Sequence, residues 1–210
     1  MSKDHLPISL VAENLVGVRG GRVIFDGVSL TLSPGDAIIL RGANGAGKTT
    51  LLRILAGLAA PEAGTIEFAT DVALPDPVTS ADACVFVGHL NATKAAESVS
   101  QNLAFWSALY GNPLKDFDVV KQRLHLMELS DRPAAALSAG QHRRLGVARA
   151  LVSRRPIWLL DEPTASMDID SAQLVAEVID QHCEQGGSVI VATHEPLDLA
   201  NAKAFRMRAA

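Results

Sequence analysis

The stretch that decides the fold runs Ala37-Ile38-Ile39-Leu40, then Gly42-Ala43-Asn44-Gly45-Ala46-Gly47-Lys48-Thr49, then Leu51-Leu52-Arg53-Ile54-Leu55-Ala56. The first run is short, apolar and continuous, as expected of a strand buried on both faces. The last reads as a helix, with Gly57 placed where a helix would stop. The segment between them fits G-x-x-x-x-G-K-[ST] at every fixed position. Successive backbone N–H groups can turn inward around phosphate oxygens only where side chains do not obstruct them, so glycines recur. The following helix adds its positive N-terminal end. On this reading Lys48 reaches the β- and γ-phosphates, and Thr49 offers a hydroxyl to Mg²⁺. Gly42, Ala43, Asn44, Gly45, Ala46, Gly47, Lys48, Thr49 and Thr50 are the expected nucleotide contacts.

Outward from this centre, residues 8–18 and 23–32 read as strands separated by a glycine-rich turn, and Ser33-Pro34-Gly35-Asp36 reads as a turn. Residues 61–68 read as a turn and a further strand. From about residue 90 to 155 apolar residues recur at helical spacing, which marks an inserted, mostly helical subdomain within a single domain covering 1–210. Phe105, Trp106 and Tyr110 fall there, either as its core or as the lining of a docking groove. Ile157-Trp158-Leu159-Leu160 is a second buried-strand signal. Residues 170–183 are helical in pattern, and 188–193 read as a final strand. Strands alternating with helices imply a mainly parallel sheet, so the expected class is α/β, with an antiparallel β part from the early strands.

Of the 210 residues, 48% are hydrophobic and 20% charged, and the net charge is −4. The acidic balance argues against a nucleic-acid partner held by bulk charge. No apolar run approaches the roughly 18 residues of a membrane span, and no basic-then-apolar signal segment opens the chain. The two cysteines, Cys84 and Cys183, match no metal-ligand spacing.

Asp161 and Glu162 follow the second buried-strand signal. A carboxylate at the carboxyl end of a buried parallel strand faces the crevice where ligands sit. Asp161 is therefore placed to hold Mg²⁺, through a water, and Glu162 to orient or deprotonate an attacking water.

Leu137-Ser138-Ala139-Gly140-Gln141, ahead of that strand and followed by His142-Arg143-Arg144, strongly resembles the LSGGQ signature of ATP-binding cassette (ABC) ATPases. The resemblance covers the chain from about residue 8 to 194 and implies a P-loop core of the ABC type that binds and hydrolyses ATP with Mg²⁺. It also implies a homodimer, in which the signature of one copy meets the γ-phosphate held by the other. Ser166-Met167-Asp168 resembles the D-loop. Thr193-His194 resembles the switch histidine, which gives His194 a catalytic role beside Glu162 and Lys48.

Two positions depart from the family pattern. Arg19 stands where an aromatic usually stacks on adenine, and it is either a guanidinium stacked on the base or a surface charge. His89 stands where the Q-loop glutamine is expected, as a functional replacement or as the mark of a shifted register. Together with LSAGQ-His142-Arg143-Arg144 and Thr193-His194-Glu195-Pro196-Leu197, these departures resemble the ATP-binding subunits of haem exporters in bacterial cytochrome c biogenesis. That resemblance implies integral membrane transporter subunits as partners and a peripheral position on the cytoplasmic face of the inner membrane. It implies no nucleic acid and no direct haem binding by this chain.

Overall fold

A computed structural model describes residues 5–88, 92–112 and 117–208. The strands are β1 (Ser9–Arg19), β2 (Arg22–Leu32), β3 (Ala37–Arg41), β4 (Ala63–Ala69), β5 (Cys84–Val87), β6 (Ile157–Asp161), β7 (Ser188–Ala192) and β8 (Lys203–Arg206). The helices are α1 (Lys48–Leu55), α2 (Ser80–Ala83), α3 (Val99–Leu109), α4 (Asp118–Arg123), α5 (Ala139–Ser153) and α6 (Ile169–Glu184). Among the described residues between β5 and β6 the regular elements are helical, including two short 3₁₀ turns.

The strands form two sheets, one ordered β2-β1-β4 and antiparallel, the other ordered β5-β6-β7-β3-β8 and parallel throughout. Every residue of β6 and β7 is buried. Side chains alternate between the two faces of a strand, and the core divides accordingly. Ile39, Val85, Trp158, Leu160, Val189 and Val191 join a cluster with residues of α3, α5 and α6. Ile38, Leu40, Ile157, Leu159 and Ile190 join a second cluster with α1 and the antiparallel sheet. An apolar run with no polar alternation is therefore what a strand covered on both faces requires.

Most strand limits lie within a residue or two of those read in the sequence, but β8 is new. β8 was not expected, because the last strand signal lay at 188–193. It pairs with β3 in parallel, Ile38 against Lys203 and Leu40 against Phe205. Only Phe205 in it is even half-buried, so it carries no apolar alternation that could mark it. It does not alter the parallel class of the sheet.

The parallel strands end on one side of the sheet, which places the loops after β3, β6 and β7 together. Among the described residues no helix is long and apolar enough to cross a membrane.

Near the opposite end, His182 in the last turn of α6 lies against Trp158, with ring centroids 3.9 Å apart and planes at 13°. Its Nε2 lies 3.0 Å from the carbonyl oxygen of Pro156, so that nitrogen carries the proton. Burial, assisted by the neighbouring His5, lowers the His182 pKa from 6.5 to about 3. The unfolded chain then binds a proton that the folded chain refuses. The stability tied to His182 is complete above pH 6.5 and is lost as the pH falls toward 3, by up to about 1.4 kcal/mol per pH unit. Denaturant midpoints measured between pH 7 and 4.5 should fall accordingly. His182→Phe should flatten that slope while lowering stability at pH 7 by about 1 kcal/mol for the lost hydrogen bond.

Candidate nucleotide site

The loop from Gly42 to Gly47 leaves β3 and enters α1. Gly47 caps the helix at φ +90°, in the left-handed region that side chains avoid. A Cβ there would lie 2.7 Å from Ile24 Cγ2 and 2.8 Å from Phe25 Cδ1. At Gly42 a Cβ would lie 2.8 Å from the carbonyl oxygen of Met207. Close packing thus requires both glycines, and at Gly47 the left-handed turn requires it as well. The fold leaves a cavity of about 440 Å³ beside the loop, walled by Asn44, Gly45, Gly47, Lys48, Thr49, Thr50, Arg19, Ile24, Asp161, Glu162 and His194.

Lys48 is 8% exposed. Its Nζ donates to the carbonyl oxygens of Gly42 at 2.9 Å and Ala43 at 3.2 Å, and lies 2.8 Å from His194 Nε2. An ammonium can only donate, so His194 Nε2 accepts and its ring proton sits on Nδ1. Thr49 Oγ1 donates to Asp161 Oδ2 at 2.8 Å. Glu162 follows β6 at φ +52°, a left-handed conformation for a residue with a side chain. Its Oε2 accepts the backbone N–H of His194 at 3.3 Å, and its Oε1 lies 4.0 Å from His194 Nε2. One cavity therefore gathers an ammonium, a hydroxyl–carboxylate pair, a second carboxylate and an imidazole, beside the glycine-rich loop.

Of the residues read from the sequence, Gly42, Ala43 and Ala46 support the loop from behind: the first two hold Lys48, and Ala46 is buried. Arg19 is exposed at the cavity rim. Ser138, Ala139, Gly140 and Gln141 are absent from the cavity, and Leu137 packs on the core. Ser138 caps α5: its Oγ accepts the Gln141 N–H at 3.3 Å, and Gln141 Oε1 accepts the Ser138 N–H at 2.9 Å. A Cβ at Gly140 would lie 3.8 Å from Met167 Cγ and from the Ser166 carbonyl oxygen, so this helix tip sits against the turn before α6. Asp168 caps α6 through the Ser171 N–H at 2.7 Å, which holds its carboxyl below the usual range. His89 lies outside the described residues. Trp106 and Tyr110 pack on the core and also line a groove; Phe105 is exposed beneath Lys94.

Sequence reasoning missed three contributors. Ile24 walls the cavity. Arg41 holds the carbonyls that flank His194. Arg143, seen only as part of a basic run, is 7% exposed on α5. Burial draws its guanidinium below the ordinary value, and the charges of Asp161, Glu162 and Glu195 oppose that shift. The sole sequence signal for it was its position shortly after the signature.

A glycine-rich loop, a strand-end carboxylate bonded to its threonine and a capped helix opening on LSAGQ fit an ATP-binding cassette. The family model described as ABC transporter matches residues 25–165. The chain belongs to the ABC transporter family and is an ATP-hydrolysing ATPase of that class. Among its relatives is the cytochrome c biogenesis ATP-binding export protein CcmA of Rhodopseudomonas palustris strain BisB5, 47% identical over 92% of this chain and 94% of that protein. The protein of the same name from Ruegeria pomeroyi is 47% identical over 91% and 88%, and that of Paracoccus denitrificans 43% over 94% and 88%. The fold is shared with a Pyrococcus furiosus protein assigned as an ABC transporter ATP-binding protein, at TM-score 0.79 and 23% identity over 95% of this chain and 97% of that one.

Two substitutions test the geometry. Lys48→Ala should weaken ATP binding at least tenfold by titration calorimetry, since it removes the buried cation from the phosphate cradle. Arg19→Ala should weaken ATP while leaving inorganic triphosphate unchanged; equal ATP affinity would remove the base-stacking role.

Proposed function

We propose that this chain is the ATPase subunit of a membrane export complex in cytochrome c biogenesis, acting as a homodimer. Two copies close on two ATP molecules, each held by Gly42 to Thr50 of one copy and touched by Ser138 and Gly140 of the other. The observation that carries this reading is the separation of the two half-sites within one chain. Lys48, Asp161, Glu162 and His194 share a cavity from which the Ser138 helix tip is absent, which supports its supply by a second copy.

Thr49 Oγ1 and Asp161 Oδ2 are adjacent hard oxygen donors, which suits Mg²⁺. Among the described residues no cluster of three His, Cys, Asp or Glu side chains could hold a metal alone, so phosphate oxygens and water would complete its shell. When bound, Mg²⁺ neutralises charge on the β- and γ-phosphates. The protein's own residues do the rest. Lys48 stabilises charge on the transferred phosphoryl group. Glu162 draws a proton from the attacking water, and His194 helps to hold that water in line.

A groove of about 520 Å³ lined by Cys84, Phe86, Trp106, Tyr110, Arg149 and Arg155, among others, supports docking of an integral membrane subunit. Aromatics and arginine are the residue types enriched at such contacts. The names of the relatives support the process served, and the resemblance of the whole motif set supports haem as the exported cargo, with hydrolysis releasing haem-loaded chaperone. The chain then works from the cytoplasmic face of the bacterial inner membrane and need not touch haem.

Tagged Glu162→Gln tests the assembly. In MgATP it should retain nucleotide, lose turnover by a factor of about 100 or more, and run as a dimer on gel filtration. Drawn from solubilised membranes, it should bring integral subunits and a haem absorption band with it. Membrane subunits free of haem would point to another cargo, and unchanged turnover would remove Glu162 from catalysis.

A further inference from the structure

Four hydrogen bonds immobilise the backbone around His194. Arg41 Nη1 donates to the carbonyl oxygens of Thr193 and Glu195, both at 2.9 Å. Glu162 Oε2 accepts the His194 N–H, and Thr193 Oγ1 accepts the Glu195 N–H at 3.0 Å. The register explains the reach of Arg41. Leu40 pairs with Ala192 across the parallel β3–β7 ladder, so the next residue of β3 stands beside the first residue of the turn after β7. The two carbonyls bracket His194, and one guanidinium nitrogen binds both.

We infer that Arg41 is a positioning residue for ATP hydrolysis: its guanidinium clamps the turn that carries His194 and so fixes the imidazole against Lys48. This rests on the catalytic reading of His194 given above. Arg41 does not itself line the cavity that holds Lys48 and His194. It immediately precedes Gly42, whose carbonyl holds Lys48. The base of the phosphate loop and the histidine turn are therefore tied at one residue, and a displacement of one is transmitted to the other. A turn released from its clamp would let the ring drift by an ångström or so, enough to lower the rate of a step that depends on alignment while leaving the phosphate cradle intact.

The test compares wild type, Arg41→Met and Arg41→Lys as full chains. Arg41→Met should lower kcat by roughly ten- to a hundredfold with KM for ATP within about twofold. Arg41→Lys should recover most of the loss, because an ammonium can also donate to two carbonyls. In a His194→Ala background, Arg41→Met should cost nothing further. Amide exchange at His194 and Glu195 should rise in Arg41→Met, with exchange in Gly42 to Thr49 unchanged. Wild-type kcat in Arg41→Met, a loss that persists undiminished in the His194→Ala background, or unaltered exchange at His194 and Glu195 would each overturn the clamp. If His194→Ala alone left turnover intact, the catalytic reading of His194 would fall, and amide exchange would decide the clamp by itself.

Discussion

The Lys48 ammonium has three protons and meets three acceptors, two loop carbonyls and one imidazole nitrogen. A cation this buried is costly unless every proton is engaged. The contacts that meet this demand also order the site. The carbonyls of Gly42 and Ala43 hold the loop around the lysine. The imidazole brings in the turn after β7, and with it the carboxylate of Glu162 that accepts the His194 N–H. Phosphate oxygens would compete for the same protons, so nucleotide entry and histidine position are linked through one side chain.

α5 connects the remaining parts. Ser138 caps its start, and four residues on His142 Nε2 lies 3.2 Å from Thr93 Oγ1. Arg143 reaches the neighbourhood of Asp161 and Glu162. Arg149 donates to the carbonyl oxygen of Phe86 in β5 and lies 4.6 Å from the centre of the Trp106 ring. Trp106 in turn donates to the carbonyl oxygen of Ala92 at 3.2 Å. The segment at 92–93 is thus held between the groove and the signature helix. A rigid rotation of α5 would move the helix tip, the groove floor and the cation near Asp161 and Glu162 together.

Much of this architecture was legible because its causes are local. A strand covered on both faces must be apolar throughout, so β3, β6 and β7 announce themselves. A loop that wraps phosphate needs glycine at set intervals, so 42–49 does too. Carboxylates at a strand end are read from two adjacent letters, Asp161 and Glu162. The parts that escaped depend on distant residues. The Arg41–Thr193 bond joins positions 152 apart in the chain, and nothing near residue 41 hints at it. Arg143 looks like a solvated charge in a basic run until the packing of α5 buries it. β8 is mostly exposed, and only its pairing with β3 makes it a strand.

That last strand has a protective effect on the molecule. By occupying the free edge of β3, Lys203–Arg206 caps a row of backbone amides and carbonyls that would otherwise be open to any passing chain. β3 leads into the glycine-rich loop, so an uncapped edge would put a sticky template beside the cavity. Its exposed lysine and arginine discourage pairing with further strands, and β3 stays sheltered inside the sheet.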